Sequence, residues 1–281
     1  MKEPLGYIEL ENGPKAVYPM NDIFLNYTFE NPENWGILKL LVNTLIAPYI
    51  ESTPHTTLKP IEAIKQVLTQ YKFILNTNNA SRNQDFKVEE TTGDAAYVEF
   101  QNRAYPPKPV AISSAEYFGL GVGHAQGKLA NQIWLLAQDI PELLAGQTFA
   151  RYILKEETTN TNHPHNSGIM YVSLKKLATL PGDAGQLAQF LLGQTIPNPS
   201  PTLQNVAQAF SGSFTAFKED KEVSQVMTMR ERWKLEDRSE GFGEGKAEGQ
   251  AEGKADTLKK LAAFFKEGLT PEEIMAALQH A

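Results

Sequence analysis

The 281-residue chain predicts a mixed α/β fold (α+β in stricter usage), with helices flanking a mixed, mainly antiparallel-edged central sheet. Three observations predict it. An amphipathic helical pattern fills Asn31–Pro48, and an alternating hairpin pattern fills Asp85–Gln101. Short strand patterns at Gln132–Ala137, Phe149–Lys155 and Met170–Leu174 are then followed by further helices. Hydrophobic residues make up 41% and aromatics 10%, which supports a real core and argues against wholesale disorder.

Taken in order, Asp22–Phe29 reads as a short helix with Leu25 and Phe29 one turn apart. Asn31 is a good N-cap, Pro32 is preorganised for the first helical position, and Glu33 meets the positive end of the dipole. Ile37, Leu38, Leu41, Leu45 and Ile46 form the buried face of this second helix, which Pro48 is expected to close. A helical turn at Ile61–Leu68, a strand at Tyr71–Leu75 and a loop at Asn76–Asn83 are expected next. In the hairpin, Gly93-Asp94 marks the turn. Period two puts Asp85, Lys87 and Glu89 on one face of the first strand, and Tyr97, Glu99 and Gln101 on one face of the second.

Pro106, Pro107 and Pro109 interrupt regular structure after the hairpin. A helix over Ser113–Gln126 is weakened by Gly119, Gly121 and Gly123, at about 1 kcal/mol each. A polar loop with His163-Pro164-His165 separates the last two strands. Helices follow at Gly185–Leu192 and Val206–Arg238, joined by a loop at Ile196–Pro201.

The tail differs in kind. Gly241, Gly245, Gly249 and Gly253, each preceded by Glu, form a four-residue repeat that reads as a flexible or partly helical linker. After it, Leu258, Leu261, Ala262 and Phe265 build one amphipathic helix. Thr270-Pro271-Glu272-Glu273 caps another, ahead of Ile274, Met275 and Leu278. The expected organisation is an N-terminal extension (1–17), a main domain (18–230), a charged Glu-Gly repeat linker (231–256) and a helical hairpin (257–281). Such a hairpin is too small to be stable without a partner surface, which points to self-association.

Composition excludes several chemistries. There is no cysteine, so disulfide scaffolds, Cys-ligated zinc, iron–sulfur clusters and thiol catalysis are ruled out. The net charge is −7 with no basic block, which disfavours a non-specific nucleic-acid coat but leaves room for a local basic groove. The opening MKEPLGYIELENGPK is charged and lacks an apolar run, and no stretch approaches about 18 apolar residues. The expectation is a soluble, cytoplasmic protein with no membrane partner.

The hairpin face carries the chemistry. Asp85 and Glu99, 14 positions apart on adjacent strands, can project to one side. Two carboxylates held that close repel unless one is protonated or a divalent cation lies between them. Hard oxygen donors suit Mg²⁺, which takes one or two carboxylates and keeps several waters or substrate phosphate oxygens. Gln101 shares the face and can hydrogen-bond a water or a phosphate oxygen. A solvated polar hairpin face is the plain alternative. Lys175-Lys176, ending a strand, is either a phosphate contact or a solvated pair. Gly119-x-Gly121-x-Gly123 lacks the Lys-Ser/Thr of a phosphate loop and reads as a glycine-rich segment. His163 and His165 read as a polar surface turn rather than a metal site.

A strand opening with Asp, a glycine turn and a second strand ending Glu-x-Gln resemble the active-site hairpin of the PD-(D/E)XK nuclease superfamily. More specifically, they resemble the Rpn-type family of recombination-promoting nucleases and transposases. Further features agree in order: Asp22-x-x-Leu25 with Phe29, the segment ENPENWGILKLLVNTLI, Tyr117 and Gly127, MYVSLKKL, and the Glu-Gly repeat followed by GLTPEEIMAAL. The resemblance spans nearly the whole chain from about Tyr18. It implies a restriction-endonuclease-like fold and a Mg²⁺-dependent DNA endonuclease tied to recombination or transposition. On that basis Asp85 and Glu99 are the Mg²⁺ ligands, Gln101 stands in the superfamily's Lys position, and Asp22 is an accessory acid. The sequence departs from the family at Leu25, Asn26, Ser113 and Ser173, where the family has Phe, a basic residue, Arg and Glu. These departures motivate the alternative of an inactive nuclease-fold protein that binds DNA or oligomerises.

Overall fold

The computed structural model describes residues 4–11, 13–74, 81–102, 107–124, 128–155, 158–159, 161–162 and 167–228. The chain divides into two compact units, Met1–Ser224 and Gln225–Ala281. The architecture below is that of the first; the predicted repeat and helical hairpin lie outside the described residues.

The chain opens with β1 (Gly6–Leu10) and β2 (Gly13–Val17), an antiparallel pair forming its own two-stranded sheet. The N-terminal extension expected over 1–17 carries this hairpin. Ile8 and Val17 are buried, so the segment belongs to the core. Helix α1 (Asp22–Glu30) matches its prediction and buries Leu25 and Phe29. Asn31 caps a 3-10 turn over Pro32–Asn34, its side chain accepting the Glu33 amide, and α2 (Trp35–Ser52) follows. Pro48 does not close α2, as expected from sequence, but sits inside it. The turn beyond the proline is held by tertiary packing, with Tyr49 against Phe149 at a ring separation of 5.9 Å.

β3 (Ile64–Ile74) and β4 (Ser81–Glu90) form a long antiparallel pair. The helical turn expected at Ile61–Leu68 is therefore strand from Ile64 onward. Val67 faces Val88 and Thr69 faces Phe86, so long-range pairing outweighs the weak local helical signal. Ser81–Asn83 of the expected loop also belong to β4, and residues 76–80 lie outside the described residues. Gly93, at φ +89°, makes the predicted turn into β5 (Ala95–Gln101).

Helix α3 (Pro107–His124) starts earlier than the expected Ser113 and runs through Gly119, Gly121 and Gly123, which weaken the helical pattern without ending the helix. Pro107 and Pro109 fall in its first turn, where amides have no intrahelical acceptor to lose. The remaining elements are β6 (Ala130–Leu136), α4 (Pro141–Leu144), β7 (Phe149–Ile153), β8 (Gly168–Ser173), α5 (Leu174–Leu177), α6 (Gly182–Leu191) and α7 (Pro201–Glu219). α7 begins five residues before its predicted start because Ser200 caps it and Pro201 opens it. The helical pattern expected to run on to Arg238 is broken at Asp220, whose carboxylate caps a new helical start by accepting the Glu222 and Val223 amides. Residues 229–238 lie outside the described residues, as do His163 and His165.

Six strands make one open mixed sheet in the order β3-β4-β5-β6-β8-β7. The pairs β3–β4, β4–β5 and β7–β8 are antiparallel, while β5–β6 and β6–β8 are parallel. This is the predicted mixed sheet with antiparallel edges. One face buries Phe86, Val88, Val98, Phe100, Ile133, Leu135, Met170 and Val172. Phe29 of α1 packs edge-on against Phe86 at 5.5 Å, and Phe24 packs against Phe210 and Phe217 of α7. The other face buries Trp134, Leu136 and Tyr171 against Val110 of α3 and against Ile140 and Leu144. Each fully buried side chain of this size contributes about 1.5–3 kcal/mol, and together they fix the sheet that carries the acidic residues. Among the described residues, no helix is long and apolar enough to cross a membrane.

Candidate active site

The site residues expected from the sequence come from three elements. Asp22 is the first residue of α1. Asn21 caps that helix by accepting the Phe24 amide at 3.0 Å, and Asp22 Oδ1 accepts the Ile23 amide at 3.0 Å. The Asp22 side chain is exposed. Asp85, on β4, is half-buried. Glu99 and Gln101, on β5, share one face by their two-residue spacing and are also half-buried.

The β4–β5 ladder pairs Lys87 with Tyr97 and Phe86 with Val98, so the same register carried one residue further sets Asp85 opposite Glu99. Beyond the Phe86–Val98 pair, side chains take up backbone groups. The Asp85 amide donates to Glu99 Oε2 at 3.2 Å, and the Phe100 amide donates to Asp85 Oδ2 at 2.8 Å. Each carboxylate thus binds the opposite strand's backbone, which holds the two acids side by side.

Electrostatics mark the pair. Glu99 keeps some surface in solvent. Even so, enough protein surrounds it that burial is the largest cause pushing its carboxyl well above the ordinary glutamate range. The Asp85 charge adds to that push, the Asp85 amide opposes it, and the Asp22 charge adds a smaller push. The Asp22 charge thus reaches Glu99, whereas Asp85 and Glu99 are joined by hydrogen bonds to each other's strand. Gln101 ends β5, and its carbonyl accepts the Ala137 amide at 2.9 Å.

The face is not the solvated hairpin surface of the plain alternative. Tyr97 is 1% exposed and Gln132, its register partner on β6, is 0% exposed. Lys87, the cation on this strand face, pairs with Glu89 at 2.6 Å and lies 5.9 Å from the Tyr97 ring.

Local sequence gave no signal for the Phe100 amide, which takes part through its backbone. Gln132 did leave a trace, as a polar residue inside an apolar strand; its Nε2 is buried without a hydrogen-bond partner among the described residues. Asn26, one helical turn beyond Asp22, is likewise buried, with its Oδ1 lacking a partner among the described residues. Ser173 caps α5 by accepting the Lys176 amide at 3.1 Å and donates to Asp139. A cleft at the turn end of the hairpin, lined by Lys59, Glu62, Glu90, Asp94 and Asn131, is separate from the Asp85–Glu99 pair.

Chemically, the arrangement is a pair of hard oxygen donors whose joint ionisation is opposed by burial and by their mutual repulsion. Among the described residues, no three His, Asp or Glu side chains are gathered so as to hold a metal ion by themselves. A cation at Asp85 and Glu99 would draw its other ligands from water or substrate oxygens, which is the usual habit of Mg²⁺. Comparison of the chain with family models, with curated proteins and with solved structures gives no match.

Proposed function

We propose that the protein is a Mg²⁺-dependent DNA endonuclease, hydrolysing phosphodiester bonds in recombination or transposition. The observation that carries this reading is the Asp85–Glu99 pair, cross-clasped to the backbone, with Glu99 held toward its protonated form by burial and by two neighbouring carboxylates. Such a site favours either a proton or a divalent cation. The element order supports the same reading. A helix, the three-stranded antiparallel meander β3–β4–β5, the crossover helix α3 and the parallel strand β6 follow one another as in a restriction-endonuclease-like core.

Asp85 and Glu99 would hold the ion. When bound, Mg²⁺ supplies an orienting, acidifying centre for the attacking water and screens the phosphate charge. Glu99 would hold the ion as a carboxylate, with its Oε2 kept in place by the Asp85 amide. Asp85 keeps its orientation through the Phe100 amide. Gln101, on the same face, offers a neutral amide to the water or to a phosphate oxygen, and Asp22 adds negative potential at the rim.

A second reading is a catalytically lapsed nuclease-fold protein that binds DNA or oligomerises. It is favoured by Gln101 in place of a lysine and by the pairing of Lys87 with Glu89. Supercoiled plasmid incubated with Mg²⁺ separates the two. Nicking by the wild type, with at least a hundredfold loss in Asp85→Ala, supports the enzyme. Equal or absent nicking in both supports the lapsed protein.

A further inference from the structure

The carboxyl ends of three parallel strands, β5, β6 and β8, lie along one edge of the sheet. Register places Gln101, Leu136 and Ser173 in a single row across that edge. In open α/β sheets, ligands lie in the crevice outside such carboxyl ends. The β5 end of the row carries Glu99 and Gln101. The β8 end carries Lys175, two residues past the row, in the short helix α5. Two strand spacings of ~4.8 Å separate the two ends, about 10 Å in all.

Lys175 is exposed, and its ammonium bonds Gln138 Oε1 at 2.6 Å. Gln138 follows the end of β6, so this bond bridges the two neighbouring strand ends. The acceptor is a neutral amide, which orients the ammonium without cancelling its charge. Lys87 differs, because its charge is met by Glu89. Asp139, the residue after Gln138, accepts the Ser173 hydroxyl, and Lys176 is occupied by the Gly146 carbonyl. Lys175 therefore presents an oriented positive charge at the far end of the strand-end row from the β5 strand that carries Glu99.

We propose that Lys175, oriented by Gln138, is a backbone-phosphate contact that sets the register of a DNA strand across the carboxyl ends of β5, β6 and β8. This inference rests on the reading of Asp85 and Glu99 as the hydrolytic centre. With phosphates advancing about 3.4 Å along the axis per nucleotide, Lys175 meets a phosphate roughly three steps from the scissile one. Such a contact positions the strand and carries no sequence preference.

The test is the salt dependence of binding of a fluorescently labelled 20-base-pair DNA duplex in Ca²⁺, using full-length wild type, Lys175→Gln and Lys175→Arg. Lys175→Gln is expected to weaken binding several-fold on two unrelated sequences and to reduce the slope of log K against log salt by about 1. Lys175→Arg is expected to restore the slope. An unchanged slope in Lys175→Gln, or no duplex binding by the wild type, overturns the inference. Plasmid nicking is followed in parallel so that the two failures stay distinct. Nicking with an unchanged slope removes the lysine contact alone, whereas a lysine-dependent slope without nicking removes the hydrolytic reading alone. Equal melting temperatures of the three proteins establish that the slopes are compared on folded chains.

Discussion

Glu99 is gripped by the residue that repels it: its Oε2 accepts the Asp85 amide at 3.2 Å while the Asp85 side chain turns to the Phe100 amide at 2.8 Å. The backbone contact steadies the glutamate and the neighbouring charge penalises its ionisation. A carboxyl held in this way responds to whatever can neutralise it.

The first consequence concerns pH and stability. Burial and the charges of Asp85 and Asp22 raise the Glu99 pKa in the folded protein above its value in the unfolded chain. The stability contributed by its proton is full below the unfolded-chain value, and it is lost as pH rises through the folded-state value. Glu99→Gln removes this loss and can still accept the Asp85 amide. Without divalent cation, the variant is expected to melt roughly 2–4 °C above the wild type at pH 8. The difference should vanish near the ordinary glutamate pKa, about pH 4. Calorimetric melting across that range checks it; a wild type more stable than the variant at pH 8 would contradict the electrostatic account.

Metal linkage follows from the same chemistry. If the proposed site takes Mg²⁺, the ion would bind the ionised form in competition with the Glu99 proton, so its affinity should rise with pH through the raised pKa. At a hundredfold excess over its dissociation constant, Mg²⁺ should stabilise the wild type by about 2.7 kcal/mol. Asp85→Ala should lose most of that gain. Thermal shifts at several Mg²⁺ concentrations and pH values measure both effects, and an equal Mg²⁺ shift in wild type and Asp85→Ala would place the ion elsewhere.

Asn43 holds the approach to β3. Its side chain accepts the Ile61 amide and donates to the Ile61 carbonyl, both at 2.8 Å. Asn43→Ala strands two backbone groups in a part-buried place and should cost about 1–3 kcal/mol in urea unfolding. The loss should appear at every pH, unlike that of Glu99.

Phe24 anchors α1, the helix that brings Asp22 to the site. It is 0% exposed and meets Phe210, Phe214 and Phe217 edge-on at 5.3–6.3 Å. Phe24→Ala should cost about 3–5 kcal/mol by loss of contacts and creation of a cavity. Denaturant unfolding gives the number, and a cost below 1 kcal/mol would mean that α7 collapses onto the gap.

What the sequence determined by itself was everything carried by a local pattern. The capping chemistry around Asn31, the turn at Gly93, the alternation through Asp85–Glu89 and Tyr97–Gln101, and the apolar strands after residue 130 all follow from neighbours a few positions apart. The same alternation put Asp85 and Glu99 on one sheet face. Tertiary structure decided the rest. It carried α2 through Pro48 with Tyr49 against Phe149, and it drew Ile64–Leu68 into a strand by pairing with β4. It buried Tyr97 and Gln132 where a solvated face was the simpler expectation, and it brought the Asp22 charge to bear on Glu99. The reason is physical. Local spacing fixes which side chains share a face, but the burial and field that a carboxylate feels come from segments distant in the chain, and only folding brings those together.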